Sequence, residues 1–166
     1  MSWQSSQTAA DRFFGSLVYL LPIVDAYYFG IFVFEQFPIV QQLYLPLQPL
    51  IYLDRMRIGG IISGGFVLFL VLYMSVVNNR QISRFIRFNT LQAILIGIVI
   101  SLCSIVLGYF LTPLLIGMPA TQVLMTIVFL IAIAISGYGI VMSALGKYAE
   151  LAQLSEAAHM QIDRYY

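Results

Sequence analysis

The chain of 166 residues is strongly apolar, with 61% hydrophobic and 9% charged residues and a mean hydropathy of +0.92. A soluble domain carries about 25% charged residues, so this composition predicts an integral membrane protein with a single membrane domain, residues 1–166. The net charge of +1 gives no reason to expect a nucleic-acid partner. The single cysteine, Cys103, excludes an internal disulfide and a cysteine metal cluster.

The first twelve residues are polar and contain Asp11, and they show neither a secretory signal nor a transit peptide. The first apolar segment is therefore expected to remain as a membrane span. A helix needs about 20 apolar residues to cross a bilayer. Runs of that length occur at about 13–34, 58–77, 91–111 and 123–145. They do not alternate between polar and apolar residues as barrel strands do, so the sequence predicts an all-α fold with four transmembrane helices.

A proline-rich segment, residues 36–53, separates the first two predicted spans. Pro38, Pro46 and Pro49 interrupt it, and proline breaks a helix because it lacks a backbone donor. Tyr44 and Tyr52 suit a membrane–water interface. We expect this segment to be interfacial or partly re-entrant and not a fifth span.

Basic residues predict the orientation. With four spans, both termini and the middle loop share one side, and that side carries six of the eight basic residues. The positive-inside rule then places both termini, including the polar tail 147–166, in the cytoplasm or stroma. The six residues on that side are Arg12, Arg80, Arg84, Arg87, Lys147 and Arg164.

Three of these basic residues follow the helical spacing i, i+4, i+7. Arg80, Arg84 and Arg87 would share one stripe of a short basic amphipathic helix between the second and third spans. Such a stripe binds anionic lipid headgroups or docks a protein partner. Both interpretations stay open here.

Small residues recur on predicted helix faces and favour close helix packing. The sequence leaves open whether these faces pack within one chain or between copies in a homo-oligomer. The predicted packing residues are Gly60, Gly64, Gly97, Ser101, Gly108, Ser136, Gly139 and Ser143.

Asp25 is an ionisable residue well inside a predicted span, and a charge there is costly enough to indicate function by default. It could line a pore. It could instead be neutral, or paired with Tyr27 or Tyr28, and merely hold helices together. Gln92 is a second candidate polar intramembrane residue and is expected to be wet.

No catalytic residue, metal ligand or cofactor site is predicted. His159 lies in the polar tail without a second ligand at metal spacing and is expected to be solvated. Ser63 has no histidine or lysine within any predicted span to activate it. The chain is therefore expected not to be an enzyme.

Three segments together resemble the Tic-twenty (Tic20) family. They are residues 76–94 (VVNNRQISRFIRFNTLQAI), 45–52 (LPLQPLIY) and 19–25 (YLLPIVD), and the likeness extends over residues 17–147. The family is the small channel-type subunit of the translocon at the inner envelope membrane of chloroplasts, with relatives in cyanobacteria. Four helices with both termini in the stroma are what the resemblance implies.

The resemblance also implies a function, a non-enzymatic channel-like subunit of a protein translocon. Its expected partners are membrane lipid, other translocon subunits or further copies of itself, and precursor polypeptides as substrate. The expected location is a cyanobacterial plasma membrane or a plastid inner envelope. The alternatives are a small solute or ion transporter with Asp25 as coupling site, and a structural subunit of a larger membrane complex.

Overall fold

The computed structural model describes residues 7–60, 62–114 and 118–163. Within these residues, three helices are long and apolar enough to cross a membrane. They are the N-terminal long helix (Ala9–Gln36), the central long helix (Arg84–Leu111) and the C-terminal long helix (Pro119–Ala144). The prediction of a helical membrane protein is confirmed to this extent.

The N-terminal long helix begins at a capping box. The Thr8 hydroxyl accepts a hydrogen bond from the Asp11 backbone, and the Asp11 carboxylate accepts one from the Thr8 backbone. The run is α-helical at Ala9–Leu17, Leu20–Asp25 and Ile31–Gln36, with a 3₁₀ turn at Ala26–Gly30. Pro22 lacks a backbone donor, which accounts for the interruption just before it.

The other two long helices also begin where the sequence supplies a start signal. The Ser83 hydroxyl accepts a hydrogen bond from the Ile86 backbone at the start of Arg84–Ile105, which continues as a π-helix over Val106–Leu111. A short helical stretch, Thr112–Leu114, follows. Pro119 occupies the first turn of the C-terminal long helix, and Gly146 follows its end at φ 72°.

Close contacts fix the relative directions of the long helices. Tyr19 lies against Gly139 and Gly30 lies against Phe129, so the N-terminal and C-terminal long helices are antiparallel. Asp25 lies against Gly97, and the Asp11 carboxylate accepts a 2.6 Å hydrogen bond from the Ser83 hydroxyl. The N-terminal and central long helices are therefore parallel. The chain between them, residues 37–83, must return along the bundle.

This return leg is made in two pieces joined by a small antiparallel hairpin. The helix Gln48–Arg55 precedes the strands Arg57–Ile58 and Ile62–Ser63, and the helix Gly64–Val77 follows them. The backbone of Gly64 lies against the Leu53 carbonyl. We call Gly64–Val77 the short apolar helix.

The second predicted span, 58–77, is therefore wrong in its first part. Gly59 and Gly60 adopt φ 63° and 78° in the hairpin, a conformation that excludes them from an α-helix. The short apolar helix has nine α-helical and five π-helical residues. At about 1.5 Å per residue it extends about 21 Å, less than the ~30 Å of a bilayer core.

The proline-rich segment folds back onto the bundle. It forms the helices Pro38–Gln42 and Gln48–Arg55 with a 3₁₀ turn at Leu45–Leu47, and each begins with a proline in its first turn. Tyr44 is buried, and its hydroxyl donates a 3.2 Å hydrogen bond to the Ile23 carbonyl. The segment thus reaches the middle of the N-terminal long helix.

The separate basic helix predicted before the third span is not present. Residues 78–83 form a turn, and the central long helix begins at Arg84 without a break before Ile105. The stretch containing Arg84 and Arg87 is the first turn of a long helix because Ser83 caps it.

Part of the polar tail packs onto the rest of the bundle. Ala152–Asp163 forms a helix, the tail helix, which buries Ala158 and Ile162 against Phe88 and Val77. The His159 ring lies 4.5 Å from the Phe88 ring, centroid to centroid. The expectation of a solvated His159 therefore holds only in part, because its side chain is half-buried on an aromatic surface.

Candidate functional site

A cavity of about 420 Å³ lies at the junction of the return leg with the bundle. The N-terminal and central long helices, the helix Gln48–Arg55 and the short apolar helix all contribute to its lining. Its walls are mainly apolar side chains, among them Leu21, Val24, Phe66, Phe69, Ile94 and Ile98. The polar groups that face the cavity are exceptions among these apolar side chains.

Two carboxylates, Asp25 and Asp54, face this cavity. Each rests against a glycine on a neighbouring helix. A β-carbon on Gly97 would lie 2.7 Å from Asp25 Oδ2, and one on Gly65 would overlap Asp54 Oδ1. The absence of both side chains is what leaves room for the carboxylates.

Few groups compensate these charges. Among the described residues neither carboxylate accepts a hydrogen bond, so the expected pairing of Asp25 with Tyr27 or Tyr28 is not formed there. Asp54 is half-buried, and its neighbour in the chain, Arg55, does not line the cavity. The Arg55 guanidinium carbon lies 5.1 Å from the centroid of the Tyr27 ring.

The cavity has no arrangement of donors typical of a metal site. In residues 7–60, 62–114 and 118–163, no three histidine, cysteine, aspartate or glutamate side chains lie close enough to hold a metal ion. Two carboxylates in an apolar cavity can instead attract a cationic group or organise water.

A second polar cluster joins the three long helices, slightly nearer than the cavity to the starts of the N-terminal and central long helices. The Tyr19 hydroxyl lies 3.0 Å from Asn89 Oδ1 and 3.2 Å from Gln92 Oε1. Ser143 Oγ donates a 2.9 Å hydrogen bond to the same Asn89 oxygen. Gln92 Nε2 donates a 2.8 Å bond to the Ala149 carbonyl. All four side chains are fully buried, so we call them the buried polar network.

The buried polar network corrects the expectation for Gln92. Its side chain is 0% exposed, whereas the sequence analysis placed it in contact with water. Gln92 does lie near the end of an apolar run, but Tyr19 and the chain after the C-terminal long helix cover its side chain. Gln92 does not face the cavity that holds Asp25.

The prediction that Arg80, Arg84 and Arg87 share one exposed surface is also wrong. Arg80 lies in the turn before the central long helix and is exposed, as is Arg84. Arg87 is 0% exposed, and its Nε donates a 2.7 Å hydrogen bond to the Val77 carbonyl. Arg87 therefore ties the end of the short apolar helix to the central long helix and cannot dock a partner.

Several predicted packing residues lie where backbones or side chains meet closely. Gly64 lies against Leu53 and Gly97 against Asp25, as described above, while Gly139 lies against the Tyr19 ring. Ser143 belongs to the buried polar network. Ser136 is fully buried on the same helix, and its hydroxyl has no hydrogen-bond partner in the described part of the chain.

The remaining packing candidates lie elsewhere. Gly60 occupies the hairpin turn, where a β-carbon would meet no described residue within 4 Å, so the prediction of helix packing at this position is wrong. A β-carbon on Gly108 would meet nothing within 4 Å among the described residues. Ser101 is exposed and lines the cavity.

Sequence reasoning missed Asp54, Tyr19 and Asn89. Asp54 directly follows the proline-rich segment and lies outside the predicted spans, where a charged residue does not by itself indicate function. It reaches the cavity that holds Asp25 only because this segment folds back onto the bundle. Asn89 had a detectable signal, an amide at the border of an apolar run. Tyr19 had none, because a tyrosine in a span is normally an interfacial or packing residue.

Comparison with known proteins agrees with the resemblance in the sequence. The family model described as "Chloroplast import apparatus Tic20-like" matches residues 9–158. A Tic20 family protein of Synechocystis sp. is 42% identical over 162 residues, which cover 98% of this chain and 99% of the relative.

Plastid relatives are more distant. Protein TIC 20-II, chloroplastic, of Arabidopsis thaliana is 31% identical over 157 residues, covering 93% of this chain and 73% of the relative. The Tic20 family protein Ycf60 of Pyropia yezoensis is 27% identical over 171 residues, covering 98% and 80%. The family match extends over nearly the whole chain, and the chain therefore belongs to the Tic20 family.

Proposed function

We propose that this chain is a non-enzymatic, channel-like subunit of a protein translocon. Membership of a family associated with chloroplast protein import supports this role. The observation that carries the channel-like part is the cavity with Asp25 and Asp54, which lies where the return leg breaks between two helices. Irregular backbone and charged groups within a membrane bundle are tolerated where they line a water-filled path.

The proposed topology has four crossings, with the return leg as the second. Its two helices would divide one crossing between them, which accounts for a short apolar helix that cannot span alone. The Asp11–Ser83 hydrogen bond and the proximity of Arg12 to Gly146 support a common end for the N-terminus, the basic turn and the end of the last helix. We propose that this end faces the cytoplasm or stroma, as the basic residues indicate.

The proposed location is the cyanobacterial plasma membrane or the plastid inner envelope. The proposed partners are membrane lipid, other translocon subunits or a second copy of the chain, and precursor polypeptides as substrate. The exposed Arg80 and Arg84 would meet headgroups or a subunit on the cytoplasmic or stromal side.

Labelling of introduced thiols tests this topology. In a Cys103→Ser background, Gln81→Cys and Met160→Cys should react with a membrane-impermeant maleimide from one side only. Ile58→Cys in the exposed hairpin and Met118→Cys should react from the opposite side. Labelling of positions 81 and 58 from the same side would contradict a return leg that crosses the membrane.

Planar-bilayer recording tests the function. The purified protein should conduct ions, and an added precursor polypeptide should block the current. Asp25→Asn should shift the cation-to-anion permeability ratio toward anions, because it removes a negative charge from the path. Glu35→Gln, an exposed acid on the same helix outside the cavity, should leave the ratio unchanged.

A current that polypeptide does not affect would contradict the translocon role. Equal permeability ratios for the wild type and Asp25→Asn would mean that the cavity does not belong to the conducting path.

A further inference from the structure

The cavity next to the return leg has a marked charge asymmetry. Among the described residues that line it, two carry a carboxylate and none carries a basic group. The nearby Arg55 does not line it and stacks over Tyr27. Asp25 and Asp54 line the same cavity, where like charges repel each other. A cationic occupant would relieve this repulsion.

The shape and lining of the cavity narrow the choice of cation. A bound metal ion such as calcium needs six to eight oxygen ligands at about 2.4 Å, and two aspartates in a space of about 420 Å³ do not supply them. The volume instead falls within the range of about 300–1,000 Å³ that organic ligands occupy. The apolar wall from Phe66, Phe69 and Ile98 would cover an aliphatic stem, while the carboxylates would hold a charged head.

Lysine and arginine side chains combine these two properties. We propose that the cavity binds a basic side chain of a polypeptide segment seated between the short apolar helix and the central long helix. Asp25 and Asp54 pair with the charged head of that side chain, and Gly65 and Gly97 keep both carboxylates in position. The site rests on the proposed function, because only a protein that handles polypeptides would meet such a segment.

Photo-crosslinking of model peptides to the intact protein in liposomes tests this site. Two apolar peptides would carry arginine or its neutral isostere citrulline at one position, next to a photoreactive leucine. The arginine peptide should label residues 64–72 and 93–102 about tenfold more than the citrulline peptide, the change expected for one charge-assisted pair. The double variant Asp25→Asn/Asp54→Asn should remove this preference, and Glu35→Gln should retain it.

A charge-reversed variant separates recognition from misfolding. Asp25→Asn combined with Asp54→Lys should prefer a glutamate peptide over the arginine peptide, a gain that an unfolded chain cannot give. Equal labelling by the arginine and citrulline peptides would overturn the site. That result would leave the polypeptide-blocked current of the proposed function intact, whereas loss of that block would overturn the function itself.

Discussion

Gly139→Ala is expected to lower the free energy of unfolding by about 1–3 kcal/mol, the usual effect of overpacking a close contact. A β-carbon at this position would overlap the ring of Tyr19. The ring cannot easily move away, because Tyr19 is 0% exposed and its hydroxyl is held by Asn89 and Gln92. The C-terminal long helix would have to separate from the N-terminal one. Thermal unfolding in detergent, followed by circular dichroism, measures the loss.

Gly137→Ala provides the matched control two residues earlier on the same helix. A β-carbon on Gly137 would meet nothing within 4 Å among the described residues. Alanine also favours helix over glycine by about 1 kcal/mol. We therefore expect Gly137→Ala to be neutral or slightly stabilising. Equal destabilisation by the two substitutions would show that the Tyr19–Gly139 contact does not govern helix packing.

The long helices could be predicted from sequence because their signal is local. Apolar runs of sufficient length, a capping serine and helix-starting prolines lie within a few residues of one another, and hydropathy detects them. The predicted runs 13–34, 91–111 and 123–145 accordingly lie within the three long helices except at residue 145. The helix ends were less well predicted, since Ser83 caps the central long helix well before the apolar run begins.

The return leg could not be predicted in the same way. Residues 58–77 contain no charged residue, but positive φ angles at Gly59 and Gly60 convert their start into a hairpin. Hydropathy describes the transfer of side chains out of water and contains no information about backbone φ and ψ angles. The fold of the tail helix was missed for a related reason. Half of its residues are polar or charged, and the burial of Ala158 and Ile162 depends on Phe88, far away in sequence.

Half of the candidate site was accessible from sequence. Asp25 was identified because an ionisable residue within an apolar run is costly and therefore indicates function by default. Its companion Asp54 was not, because the two meet only through the folding of the proline-rich segment. The prediction for Arg87 was wrong because a spacing in the sequence was taken to mean one continuous helix. Its spacing with Arg80 and Arg84 fits one helix face, but the turn at residues 78–83 removes Arg80 from that helix and Val77 covers Arg87.

Asn89→Leu is expected to destabilise the bundle by about 1–3 kcal/mol, because it leaves buried donors without their acceptor. Ser143 Oγ donates to Asn89 Oδ1 at 2.9 Å, and the Tyr19 hydroxyl lies 3.0 Å from the same oxygen. Tyr19 can still donate to Gln92, so Ser143 loses more. Denaturation in mixed micelles, followed by circular dichroism, gives the change in unfolding free energy.

A double-mutant cycle isolates the bond that joins the central and C-terminal long helices. Ser143→Ala should destabilise the wild type but have almost no effect in the Asn89→Leu background, where its acceptor is already absent. The coupling should be about 0.6–1.7 kcal/mol, between the average and the largest value found for hydrogen bonds between membrane helices. Ser136→Ala is the control, because the buried Ser136 hydroxyl has no partner in the described part of the chain. Its effect should be small and should not depend on residue 89. Coupling of Asn89 to Ser136 as strong as to Ser143 would mean that residue 89 acts through general packing, because a directed hydrogen bond couples only the residues that share it.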